Sequence, residues 1–322
     1  MLPSMPEQSD VILDPAAAYP EITVLRTALA RRDWPACRTL LDSVSPADRS
    51  ALIKTGSAEP GLEPFLRSVL RNDQADGTAA ALLGHHLIGV GWDIRTAARA
   101  NQVSRAQFVA FHDWLVKAEV VLIDAAARNP GDPAVWVARL ISARGLELGR
   151  SEVRRRYDRL AAIDPHHLPG QAQFLQSLCP KWSGTWELLH AFCQEAMLAA
   201  PPGAPQGGLV ADGHIEHWLD LTGDDRAAAK RYLATEPVRT ELHEAAQRSV
   251  WHPEFRRTYG WLTAANSFAF VFSVLDDQRA AASIFAVLGN LGTEHPWYYL
   301  GDAAASLRKS RARALSSTGK SR

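Results

Sequence analysis

The hydrophobic positions of this chain recur at helical spacing, almost from end to end. The clearest case begins at Ser104. Phe108, Phe111, Leu115, Ala118, Leu122 and Ala125 follow at intervals of three and four, the signature of one buried helix face. Ser104 followed by Gln107 predicts a capping box at the start, and Asn129-Pro130-Gly131 predicts the stop. A helix over about 133–147 carries Trp136, Leu140 and Ala143. Another, over about 151–163, carries Val153, Tyr157, Leu160 and Ala161 and ends at Asp164-Pro165. Residues 25–44 read as a short helix pair hinged at Arg32-Asp33-Trp34. Alternating β-branched runs are nearly absent, so the pattern predicts an all-α chain.

The punctuation repeats. Pro130 and Pro165 are 35 residues apart and Pro201 lies 36 further on; Trp261 and Trp297 are again 36 apart. Trp297-Tyr-Tyr-Leu300-Gly301 has the spacing of a tetratricopeptide first helix, whose unit is ~34 residues long. One helix pair cannot bury its apolar face alone, whereas stacked pairs share a continuous core. The expected architecture is therefore a tetratricopeptide-like α-solenoid of stacked antiparallel helix pairs. The expected organisation is a disordered, proline-punctuated leader over 1–20 and a helical-repeat domain over 21–305, with a candidate break at 201–211. A basic helix end or tail follows over 306–322.

The stretches 91–136 and 178–192 resemble a bacterial family of tetratricopeptide-like helical proteins of unknown function, with a Pro-Lys-Trp-Gly-Gly-Ser-type turn between paired helices. Here the turn is Pro180-Lys181-Trp182-Ser183-Gly184-Thr185, with Ser183 where the family pattern has Gly. The resemblance implies a helical-repeat fold and no activity.

Composition narrows the function classes. Among 322 residues, 47% are apolar and 22% charged, and 35 basic residues balance 35 acidic ones, which argues against a generally basic nucleic-acid binder. Only six of the basic residues are lysines; with the heavy alanine use this fits a high-GC bacterial coding bias. Cys37, Cys179 and Cys193 fit neither a zinc pattern nor a disulfide framework, so a cytoplasmic setting is expected. The first twenty residues show no signal-peptide pattern, and no apolar run reaches the ~18–20 residues of a transmembrane helix.

The Lys181-Trp182 turn offers an indole and an ammonium to a ligand carboxylate or peptide, or else simply closes a bend at Gly184. Asp212-Gly-His214-Ile-Glu216-His217 presents an i, i+3 histidine pair, read against Asp212 as a helix cap; the expectation is no metal and no cofactor. Residues 95–111 imitate a helix-turn-helix, but the second helix is too long and too apolar on one face for a reading helix. His190 and Cys193 lie one turn apart, and buried inert thiols are the expectation. No phosphate loop, dinucleotide fingerprint or nucleophile elbow is present.

The expected function is a protein-binding scaffold or adaptor with a peptide or protein partner in a groove. Arg139, Arg144, Gln176, Lys181, Trp182 and Asn266 are the candidate binding residues, and no catalytic residue is assigned. An enzyme with a site near Lys181-Trp182 and a nucleic-acid-binding regulator acting through the basic tail are the alternatives.

Overall fold

A computed structural model describes residues 10–96, 98 and 102–318 and divides the chain into two compact units. Among the described residues it is all-α, without a strand. One unit spans 20–189; the other combines 190–322 with the chain start.

The 20–189 unit holds α1 (Glu21–Ala30), α2 (Trp34–Ser43), α3 (Pro46–Gly56), α4 (Leu62–Asn72), α5 (Gly77–Arg95), α6 (Arg105–Arg128), α7 (Pro133–Gly145), α8 (Arg150–Ile163), α9 (Leu168–Leu178) and the start of α10 (Trp186–Ala199). The sequence sets most of these starts by side-chain capping. Asp33, Ser45, Asp76, Asp132 and His167 each accept a backbone N–H in the first turn of α2, α3, α5, α7 and α9. Ser104 and Gln107 form the expected reciprocal box on α6.

Contacts pass mainly between successive helices. α5 and α6 make the most extensive pair, and Gly84 explains their closeness, because a Cβ there would meet Leu122 at 2.4 Å. The core runs through Leu25, Leu29, Ile53, Leu83, Leu87, Phe111, Leu115, Leu140 and Leu160. One departure matters for function. α3 packs not only on α1 and α5 but also on α7 and α9. Arg49 donates two hydrogen bonds to Asp132 at 2.7 and 2.9 Å, and Ser50 Oγ lies 3.0 Å from His167 Nε2. His167 Nδ1 accepts from Gly170 N, so Nε2 carries the proton and donates to Ser50. Burial holds this imidazole below its ordinary pKa, in the neutral form that serves both contacts.

The other unit holds the rest of α10, α11 (Gly207–Asp224), α12 (Arg226–Ala234), α13 (Glu236–Arg248), α14 (Trp261–Val274), α15 (Gln278–Leu288) and α16 (Ala303–Thr318). Its core is aromatic: Trp261, Phe268, Phe270, Phe272 and Trp297 are almost fully buried.

Several expectations change here. Residues 10–19 are not a disordered leader. Ile12 exchanges backbone hydrogen bonds with Asn290 and Gly292, and Asp14 caps a 3₁₀ turn at Pro15–Ala17; residues 1–9 lie outside the described residues. The candidate break at 201–211 runs into α11 at Gly207. Asp212 is therefore mid-helix and not a cap. Trp297–Leu300 is a 3₁₀ turn and not the first helix of a repeat. The basic end is helical through Thr318 and docked: Arg311 donates to Gly289 O at 3.0 Å, Arg313 pairs with Asp276 at 2.8 Å, and Leu307 and Ala314 are buried. In the helix-turn-helix stretch, residues 97 and 99–101 lie outside the described residues. α6 is a 24-residue helix lying along α5. No helix among the described residues is long and apolar enough to cross a membrane.

Candidate functional site

In the 20–189 unit the end of α7, the start of α8, α9 and the following turn enclose a cleft of about 570 Å³. Its construction follows from local sequence. Glu147 (φ 53°) and Gly149 (φ 85°) turn the chain sharply between α7 and α8. Gly149 has no side chain to cap α8, so the positive end of that helix opens on the cleft beside Arg150, Ser151 and Arg154. On the far wall, Pro180–Trp182 forms a single 3₁₀ turn that ends at Ser183, in the left-handed region (φ 72°). Gly184 is sterically required, since a Cβ would fall 1.8 Å from Leu178 O.

Apolar and cationic groups share this lining. Phe174, Leu178, Val153, Leu188 and Trp182 supply the apolar surface; Arg144, Arg150, Arg154 and Lys181 supply four cations against the single acid Glu147. Phe174 is fixed by stacking on Tyr157, with centroids 4.1 Å apart, and Arg154 lies 5.8 Å over its ring. Trp182 meets Trp92 edge-on at 6.2 Å and carries the Arg144 guanidinium 5.9 Å above its face. Arg144 is oriented by Gln173, whose side-chain oxygen accepts from both Nη atoms at 3.2 Å.

Of the six binding residues read from sequence, the structure brings Arg144, Lys181 and Trp182 together in the cleft. Gln176 is half-buried on α9 and does not line it. Arg139 and Asn266 are corrections, because both are buried. Arg139 is 8% exposed and joins Glu119 at 3.4 Å inside an ionic cluster. In that cluster Arg156 donates to Glu119 at 2.7 and 3.0 Å and Ser142 Oγ donates at 2.5 Å. Asn266, in the other unit, is fully buried; its Oδ1 accepts from Trp297 Nε1 at 2.9 Å. Arg150, Arg154 and Phe174 escaped the sequence reading. The available signal was two arginines one turn apart at the start of a helix that follows a glycine.

The 190–322 unit gathers a second polar cluster. Glu241 is held below the usual carboxylate range, chiefly by the hydrogen bond from His214 and against the effect of its burial. It accepts from His214 Nε2 at 2.9 Å and from Gln194. His214 Nδ1 then accepts from the Tyr232 hydroxyl at 2.7 Å. Burial, then the Glu241 charge, pushes that phenol above its ordinary range, so it remains a donor. His190 Nε2 stands 3.2 Å from Tyr232 Oη and 3.1 Å from His217 Nδ1. The histidines weighed as an i, i+3 metal pair thus enter a hydrogen-bonded relay, and Asp212 turns instead to Ser267. Among the described residues no group of three or more His, Cys, Asp or Glu side chains is arranged to hold a metal ion. All three cysteines are buried free thiols; burial, then Asp33, raises Cys37 to about 11. Comparison with protein-family models, curated proteins and solved structures returns no match.

Proposed function

We propose that the 20–189 unit is a binding module, a scaffold or adaptor, that holds a segment of a protein partner in the Arg144–Lys181–Trp182 cleft. The observation that carries this reading is an apolar, aromatic surface ringed by cations within one cavity of peptide-binding size. The sequential helix pairs fit a tetratricopeptide-like array, a fold that serves recognition. In this reading α3, lying on α7 and α9, covers the surface an open array offers, and recognition moves to the edge where α7, α8 and α9 end. The lining favours binding over reaction: Ser151, Ser177 and Ser183 have no histidine or aspartate beside them in the cleft. Three buried thiols suit a cytoplasmic setting.

Peptide display on the immobilised full-length chain tests the reading. Selected peptides are expected to lose about tenfold or more in affinity on Trp182→Ala, as a buried aromatic anchor does. Peptides that bind this variant as tightly as the wild type place recognition elsewhere.

A further inference from the structure

The outer face of α6 is apolar where a solvated helix is polar. Its inner face, with Phe111, Leu115, Ala118 and Leu122, is buried, and the helix packs on α5 and α7. Half a turn away, Val109, Val116, Val120 and Ile123 are between 52% and 67% exposed and form one stripe. With Asp113 they recur at intervals of four, three, four and three, the spacing of a helix–helix seam; the exposed Ala106 and Ala127 continue it at both ends. Single exposed apolar residues are ordinary, but a contiguous stripe marks a contact surface. Valine and isoleucine are also poorer helix formers than the alanine and arginine this chain uses elsewhere, so α6 itself gains nothing from them on its outer side. A helix apolar on opposite faces is suited to packing on both.

Two charges on one edge of the stripe point to the occupant. Asp113 and Lys117 are four residues apart, yet among the described residues neither has an ion-pair partner; Asp124 and Arg128, at the same spacing, close at 2.9 Å. Lys117 rests on the Trp114 ring, 4.1 Å from its centroid. In a parallel pair of α6 helices Asp113 meets Asp113 of the second copy, a like-charge contact. In an antiparallel pair about a two-fold axis, like edges meet. A register that stacks Val109 on Val120 of the second copy then sets Asp113 beside Val116 and Lys117 of that copy, and symmetry makes the opposite-charge contact twice. The same register lays Ile123 over Ala106 of the second copy, a large side chain against a small one.

We propose that the exposed face of α6 is a self-association surface, occupied by α6 of a second copy of this chain lying antiparallel to it, with an Asp113–Lys117 pair between copies at two places. No α6 residue lines the cleft, so self-association stands apart from peptide binding. A seam one helix wide and about 36 Å long sits at the lower end of specific interfaces, ~1,200 Å² in total, so the dimer is expected to be reversible with a micromolar Kd.

The experiment is sedimentation velocity of the full chain from about 1 to 200 µM. The wild type is expected to pass from monomer to dimer across this range. Val120→Glu buries unpaired charge in the seam and is expected to raise Kd at least about tenfold. Val120 is exposed in the monomer, and an unchanged melting curve at the lowest concentration separates association from folding. Asp113→Lys and Lys117→Asp are each expected to weaken the dimer by about threefold to tenfold. An equimolar mixture of these two variants is expected to recover the wild-type affinity, because the mixed pair restores opposite charges at both contacts. A wild type that stays monomeric throughout overturns the proposal. A dimer that Val120→Glu leaves intact places the interface elsewhere and overturns it as well. A dimer lost in Val120→Glu but not strengthened by mixing the two charge variants overturns the antiparallel pairing.

Discussion

Replacing Glu119 by alanine is expected to be the most damaging single polar change in the 20–189 unit. Glu119 projects from α6 into the interface with α7 and α8 and accepts from Arg156 (2.7 and 3.0 Å), Ser142 (2.5 Å) and Arg139 (3.4 Å). Arg156 and Arg139 are 2% and 8% exposed, so neither guanidinium can recover its hydration when the carboxylate is removed. Arg139 is already strained electrostatically: burial first and Arg156 second hold its pKa below the usual range, Glu119 opposes both, and its Nε has no partner. Orphaning a buried charge costs about 3–5 kcal/mol. For a unit of this size that is a fall of roughly 10 °C in melting temperature. The assay is chemical and thermal denaturation of the full chain followed by circular dichroism. Glu119→Leu with Arg156→Met is expected to cost less than Glu119→Ala alone, because it removes charges from both sides. A loss below about 1 kcal/mol for Glu119→Ala refutes the reasoning, since it requires the two guanidinia to find water or another partner. The result bears on function, because α7 and α8 carry Arg144, Arg150 and Arg154 to the cleft.

Three further outcomes follow from the same physics. Gly184→Ala drives a Cβ into the Leu178 carbonyl, and denaturation is expected to show a loss of about 2 kcal/mol or more together with weaker cleft binding. Asn266→Leu leaves the buried Trp297 indole N–H without its acceptor, at a cost of about 1–3 kcal/mol in urea titration. Burial, against the Ser267 hydrogen bond and aided by Glu216, raises Asp212 to about 7. The native state therefore binds more protons there than the unfolded state between about pH 4 and 7, and Asp212 makes the protein less stable as pH rises through that window. Asp212→Asn is expected to gain stability relative to the wild type at pH 8 and not at pH 4; a difference that does not change with pH removes this assignment.

The helices were legible because their signals are local. Ser104 with Gln107, Asp132 before Pro133, and Asp164-Pro165 each act within one turn, and α6, α7 and α8 begin and end within about two residues of the positions read. The groove was less legible. Arg139 and Asn266 were read as groove residues, but their partners Glu119 and Trp297 sit on other elements, 20 and 31 residues away. A polar side chain whose partner lies elsewhere in the chain has the same local pattern as a solvated one. Likewise, the return of α3 onto α7 and α9 depends on Arg49–Asp132 and Ser50–His167, pairings across 83 and 117 residues. No repeat period encodes them. The Lys181-Trp182 turn was found because its indole, ammonium and required glycine are consecutive; Arg150 and Arg154 were missed because arginines near Glu152 and Asp158 look like a solvated helix face.

The most direct test is chemical-shift mapping of the full-length chain titrated with a display-selected peptide. The account predicts perturbations concentrated on the end of α7, the Gly149–Arg154 start of α8, Phe174 and the Pro180–Ser183 turn, and their loss in Trp182→Ala. Perturbations confined to 190–322, or spread alike over both units, contradict it.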